Sequence, residues 1–207
     1  MGKRPYTPSK LVAMSDALTL TAAKKNARNR IRAARLARST ADLHADNAAI
    51  LNQLTALIRT INATRAAAYM PEVTEPGGVD FADNLTGILS ELWIPKSLPN
   101  RQLVWGHYSG GDSVERGTFG ILEPTTPSRS SDILHDVDLI IVPALGITPS
   151  GRRLGQGAGY YDRALAGVAT PTVAILFDSE VNTTIPFEPH DATCDWIITP
   201  EGTKQVT

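Results

Sequence analysis

The stretch DLIIVPALGITPSGRRLGQGAGYYDR, from Asp138 to Arg163, constrains the fold more than any other part of this chain. It opens on Leu139 to Val142, an uninterrupted apolar run short enough to be a strand buried on both faces, as in a parallel sheet. It closes on a helix predicted to start near Tyr160. Between them lie Gly146, Gly151, Gly155, Gly157 and Gly159, with Arg152 and Arg153 set among the glycines. Glycine lets backbone N–H groups close in on an anion and a helix N-terminus adds a positive field, so the stretch predicts a phosphate site.

The other segments supply a sheet around that strand. Ala66 to Met70, Leu92 to Pro95, Gln102 to Tyr108, Val173 to Phe177 and Trp196 to Thr199 read as strands. Thr21 to Arg38 reads as a helix with Thr21 as its N-cap. A second helix, capped by Ser39 or Thr40, carries Leu43, Ile50, Leu51, Leu54, Leu57, Ile58 and Ile61 at helical spacing. A third is predicted over Val79 to Leu92. Strands and helices in alternation predict a three-layer α/β/α domain with a mainly parallel sheet, and with the basic N-terminal helix packed against it. Residues 1–20, which include Pro5 and Pro8, are expected to be a disordered extension, and 21–207 a single domain. Met14 is an alternative start.

Charge is distributed unevenly. Residues 1–40 hold ten Lys or Arg against one acid, Asp16, a net of +9, which leaves −10 on the rest of the chain. On the predicted first helix Lys24, Arg28, Arg32, Arg35 and Arg38 fall within about a third of the circumference. This stripe is either a solvated face or a ligand-facing one. Nucleic acid is disfavoured as a partner, because the body is acidic and no basic surface rich in aromatics is evident. No apolar run approaches the roughly 20 residues of a membrane span, and no signal-peptide core is present, so a cytoplasmic protein is expected. The single cysteine, Cys194, lies in an apolar stretch without a basic neighbour, which predicts a buried and unreactive thiol.

Several chemistries are absent from the motifs. There is no GxxxxGK[ST] segment, no GxGxxG with a following acid, no GxSxG elbow and no CxxC or HExxH spacing. What remains is the combination of glycines, Arg152 and Arg153, and Asp162 one turn into the following helix, where a carboxylate can hold Mg²⁺ beside phosphates. Tyr160 and Tyr161 suit core packing and ligand contact. Glu72 and Glu75 stand in the loop PEVTEPGG, beyond a strand end where open α/β sheets bind ligands.

PALGITPSGRRLGQGAGYYDR resembles the signature of the 5-formyltetrahydrofolate cyclo-ligase family, also called methenyltetrahydrofolate synthetases. KKNARNRIRAAR resembles that family's N-terminal helix, AYMPEVTEP its substrate loop and PHDATCDWIITP the entry to its last strand. Ile147 and Ala158 depart from the usual residues. The resemblance implies ATP- and Mg²⁺-dependent conversion of 5-formyltetrahydrofolate, polyglutamylated or not, to 5,10-methenyltetrahydrofolate, ADP and phosphate by a monomer. A binding paralogue without turnover is the alternative. By resemblance, Lys24, Arg153 and Tyr161 are catalytic. Lys24, Arg28 and Arg153, Leu154, Gly155, Gln156, Gly157, Ala158, Gly159, Tyr160, Tyr161 bind ATP, with Lys25 an alternative to Lys24. Glu75 and Gln156 to Tyr160 bind the folate, and Asp162 and Asp191 hold magnesium. Apart from the resemblance, Arg32 or Arg35 is a candidate to attract the glutamate tail.

Overall fold

The computed structural model describes residues 10–117, 119–182, 184–187 and 193–206, with side chains from Leu18 onward. Four α-helices are described, α1 (Lys10–Leu36), α2 (Thr40–Thr60), α3 (Phe81–Thr86) and α4 (Tyr160–Ala164). The strands are β1 (Arg65–Ala68), β2 (Glu91–Leu98), β3 (Gln102–His107), β4 (Val114–Arg116), β5 (Leu122–Pro124), β6 (Ser128–Arg129), β7 (Leu139–Val142), β8 (Gly146–Ile147), β9 (Arg153–Leu154), β10 (Thr172–Ile175), β11 (Trp196–Thr199) and β12 (Gly202–Gln205). Eight of them form one sheet in the order β12-β11-β10-β7-β1-β2-β3-β6. From β11 to β2 the neighbours run parallel. The outer pairs are antiparallel. The expected α/β architecture with a mainly parallel sheet is therefore present.

Strand alternation divides the core between the two faces of the sheet. Ala66, Ala68, Leu139, Ile141, Val173 and Ile175 face α2 and α3, where Ile50, Leu54, Ile58, Phe81 and Leu85 cover them. Ala67, Ile140, Val142, Ala174 and Ile197 face Ile133, Leu134 and Ala164 on the other side. Ser39 caps α2 as predicted, its hydroxyl accepting from Asp42 N–H at 3.1 Å. Asp138 joins β1 to β7 from their starts by accepting from the N–H groups of Thr64 and Arg65, each at 2.9 Å. Hydrogen bonds from Thr64 and Arg65, with the Arg65 charge, outweigh partial burial and hold its carboxyl below the usual range.

Three expectations need correction. The first helix begins at Lys10, so residues 10–20 are helical, and Thr21 is an interior position. No glycine or proline interrupts Lys10 to Leu36, so nothing stops the helix at Thr21. The third helix is shorter than predicted, because Gly87 ends α3 and the chain enters β2 at Glu91. Leu92 faces the core from a strand, where helical spacing is irrelevant. Finally, the glycine-rich stretch does not run directly from strand to helix. It folds first into the β8–β9 hairpin, with Gly146 opposite Leu154 and Ile147 opposite Arg153.

That hairpin is the seat of α1. Ala27 and Ile31 pack on Leu145, Leu154 and Ile185 as a small separate core. A Cβ on Gly146 would lie 2.7 Å from Ile185 and 3.2 Å from Ile31, so the close approach of the helix requires glycine there. Although α1 and α2 are 27 and 21 residues long, among the described residues no helix is long and apolar enough to cross a membrane.

Candidate functional site

At the carboxyl ends of the parallel strands the chain leaves a cavity of about 300 Å³. One wall is the predicted stretch: Arg153, Gly155, Gln156, Gly157, Ala158, Gly159, Tyr160, Tyr161 and Asp162 all line it. Facing them are Glu75, Tyr69 and Met70 after β1, Pro95 and Ser97 on β2, Leu103 on β3, and Phe119, Ile121 and Glu123 from the β4–β5 hairpin. Ligands of open parallel sheets bind at this end, where loops diverge from the strands.

The glycine-rich wall is held by charged side chains. Arg153 is buried in β9, donating to Pro143 O at 3.0 Å and to Asp162 Oδ1 at 2.6 Å. Its Nε has no hydrogen-bond partner among the described residues. Gly157, at φ +104°, occupies the left-handed region, and a Cβ there would come within 3.1 Å of the Arg28 guanidinium carbon. Arg28 donates from Nε to Gly155 O at 2.9 Å, and Arg32 donates to Gln156 Oε1 at 2.6 Å. The first helix thus braces the loop from behind.

The two tyrosines have different surroundings. Tyr160 meets Phe119 edge to face, ring centroids 6.1 Å apart, across the cavity mouth. Tyr161 stands edge-on to Trp105, also at 6.1 Å, with Arg153 5.9 Å from its ring centre. The Tyr161 hydroxyl is buried without a partner among the described residues, and burial pushes its pKa well up.

Glu75 sits opposite, four-fifths or more buried at its side chain. Oε1 accepts from Gln156 Nε2 at 3.0 Å and Oε2 from Glu72 N–H at 3.1 Å. Burial raises its carboxyl above the usual range against the opposing pull of the Glu72 N–H and of Arg35. Tyr69 beside it donates to Pro76 O at 2.6 Å and fixes the loop that carries Glu75.

The placement of the remaining expected residues is mixed. Lys24 is buried and Lys25 exposed, which decides the face that turns inward. Lys24 and Arg28 do not line the cavity, and Arg28 reaches it through the carbonyl of Gly155. The Leu154 side chain packs beneath α1 and does not line the cavity. Arg35 is a correction, because its buried guanidinium is fixed by Glu180 and is not available to a solvent-exposed tail. Asp191 lies outside the described residues. Cys194 is buried and pushed up to about 11 by burial, an unreactive thiol as predicted. Sequence reading missed Ser97, Leu103 and Glu180. It also gave no role to Phe119, Ile121 and Glu123, although an acid closing an apolar run punctuated by glycines was the available signal.

Among the described residues no three His, Cys, Asp or Glu side chains gather as a metal site. Magnesium needs only one or two protein carboxylates beside phosphate oxygens and water. Asp162, 57 % exposed at its side chain on the cavity rim, meets that requirement even while paired with Arg153.

Comparison with known proteins gives a consistent result. Residues 20–200 match the family model described as the 5-formyltetrahydrofolate cyclo-ligase family. A 5-formyltetrahydrofolate cyclo-ligase of Mycolicibacterium smegmatis is 34 % identical over 148 residues, covering 68 % of this chain and 76 % of that protein. The protein of the same name from Saccharomyces cerevisiae is 26 % identical over 187 residues, covering 76 % and 86 %. The solved structure of Aquifex aeolicus 5,10-methenyltetrahydrofolate synthetase superposes with a TM-score of 0.74 at 25 % identity, over 88 % of this chain and 92 % of that one.

Proposed function

This chain belongs to the 5-formyltetrahydrofolate cyclo-ligase family, and from that premise we propose that it closes 5-formyltetrahydrofolate to 5,10-methenyltetrahydrofolate at the expense of ATP. The observation that carries the reading is a single cavity bounded by the arginine- and glycine-rich loop on one side and by Glu75 on the other. A phosphate donor and a folate ring can share it, which the transfer requires.

The nitrogen of an N-formyl group donates into the carbonyl and makes the carbon a poor electrophile. Transfer of the γ-phosphoryl group to the formyl oxygen converts that oxygen into a leaving group. The second folate nitrogen attacks the formyl carbon, the C–O bond breaks, and phosphate departs with the oxygen while the attacking nitrogen loses its proton to solvent. Positioning and charge neutralisation dominate such chemistry.

In this chain Lys24 and Arg28 supply positive charge to the triphosphate from α1. Arg153 and the backbone from Gly155 to Gly159 hold the transferring phosphoryl group close to the formyl oxygen. Glu75 accepts hydrogen bonds from the amidine-like edge of the pterin, exchanging its contact with Gln156 for the ligand. Tyr160 and Phe119 cover the planar ring at the mouth. Magnesium, held by Asp162, would screen the phosphate charges.

The test is direct. Protein, 5-formyltetrahydrofolate and MgATP are mixed, and the ultraviolet band of the methenyl product is followed together with ADP. Growth of both in equal amounts is the expected result. Folate and nucleotide binding with no product would identify a binding paralogue instead.

A further inference from the structure

The stripe on α1 contains one arginine that neither phosphate nor solvent explains. Arg35 is 4 % exposed at its side chain and carries two acids. Its Nε and Nη2 donate to the two oxygens of Glu180 at 2.7 and 2.9 Å, and Nη2 also donates to Ala144 O at 2.8 Å. Glu180 is equally buried and is itself fixed by Phe177 N–H at 3.1 Å. With one edge of the guanidinium saturated, Nη1 faces Glu75 Oε1 at 3.6 Å.

We propose that Arg35, locked by Glu180, is the positioning residue that keeps the Glu75 carboxylate charged and turned into the cavity. The inference rests on the reading that Glu75 receives the folate ring. Planarity explains the choice of arginine: a guanidinium can clamp one carboxylate bidentately and present a third N–H to a second, which an ammonium point charge cannot do. Two acids on one cation leave the trio with net negative charge, so Glu75 stays attractive to N–H donors. On the cavity side Gln156 Nε2 occupies the same oxygen and is itself held by Arg32, so α1 grips Glu75 directly and through the glycine-rich loop.

The charged and titratable groups around Glu75 are Arg35 on α1, Glu72 on its own loop, Tyr69 after β1, Glu180 after β10 and Tyr161 on α4. Arg35 is the only cation among those named, so its removal leaves only the hydrogen bonds from Glu72 N–H and Gln156 to oppose burial and like charge at the carboxyl.

A double variant, Arg35→Leu with Glu180→Gln, tests this without leaving Glu180 as a buried, unpaired charge. The amide retains an acceptor for Phe177 N–H, and the variant should melt as a folded protein. Expected are a roughly tenfold rise in KM for 5-formyltetrahydrofolate, less than twofold change in KM for ATP, and an acid limb of kcat/KM displaced upward by about one pH unit. A ¹³C-carboxyl NMR titration of Glu75 in ligand-free protein should move in the same direction. Arg35→Lys should not restore the folate KM. Unchanged folate KM with an unmoved Glu75 titration would overturn the inference, and so would equal rises in both KM values. Turnover by the unsubstituted protein is scored separately, so proposed function and positioning role can fail independently.

Discussion

Tyr161→Phe should make this protein more stable and less active. The Tyr161 hydroxyl is buried with no hydrogen-bond partner among the described residues, whereas the ring is well placed against Trp105 and Arg153. A buried polar group without a partner carries a desolvation cost of about 1–3 kcal/mol. Phenylalanine removes that cost and preserves the ring contacts. Taking about 1 kcal/mol, the melting temperature of a chain of this size should rise by about 2–4 °C. Natural sequences retain such a group where function uses it. On the proposed reading the hydroxyl finds its partner when substrates fill the cavity, and kcat/KM should fall about tenfold or more, equivalent to about 1.4 kcal/mol of transition-state stabilisation. Thermal unfolding followed by circular dichroism and the methenyl absorbance assay measure the two effects on one preparation. Destabilisation would mean that the hydroxyl already has a partner in the folded protein. Stabilisation with full activity would reduce Tyr161 to a packing residue.

Gly157→Ala places a Cβ at positive φ and 3.1 Å from Arg28, so KM for ATP should rise about tenfold with a stability loss of about 1 kcal/mol, read by steady-state kinetics and urea unfolding. Asp162→Asn should abolish methenyl formation while the melting temperature changes little, since the side chain is 57 % exposed and asparagine keeps an oxygen to accept from the buried Arg153 guanidinium. Because burial raises the Glu75 carboxyl, kcat/KM for the folate should fall with decreasing pH above the ordinary carboxylate range, and Glu75→Gln should flatten that limb. The lowered Asp138 carboxyl works in the opposite direction: its contribution to stability is present above the ordinary carboxylate pKa and is lost as pH falls through its depressed value. The melting difference between the unsubstituted protein and Asp138→Asn should therefore shrink on acidification, and a constant difference would dismiss the carboxylate staple.

Segments that run through the core were readable in the sequence. Leu139 to Val142, buried throughout, coincides with β7, and Trp196 to Thr199, buried at its two central isoleucines, with β11, because runs of apolar, aromatic and β-branched residues fit few other environments. The glycine-rich loop was readable because glycine, arginine and tyrosine in fixed register tolerate few alternatives. Ile88, Leu89 and Leu92 misled because their spacing suits a helix face as well as a turn entering a strand. The β8–β9 hairpin, with two residues in each strand, is too short to leave a period. Glu180 had no local signal at all. Its meaning is its partner, Arg35, which stands 145 positions earlier.

The seating of α1 also sets when the site can exist. Ala27 and Ile31 have as their apolar partners Leu145, Leu154 and Ile185, so among the described residues the small core that seats this helix is complete only when residue 185 is in place. Its anchorage is otherwise polar: Arg28 and Arg32 on the loop, Arg35 on Glu180. With so thin an apolar face α1 depends on its polar contacts, and, on the proposed reading, a triphosphate held by the loop within reach of the charge of α1 would fasten both. Amide hydrogen exchange should therefore slow along Lys24 to Arg35 when nucleotide binds.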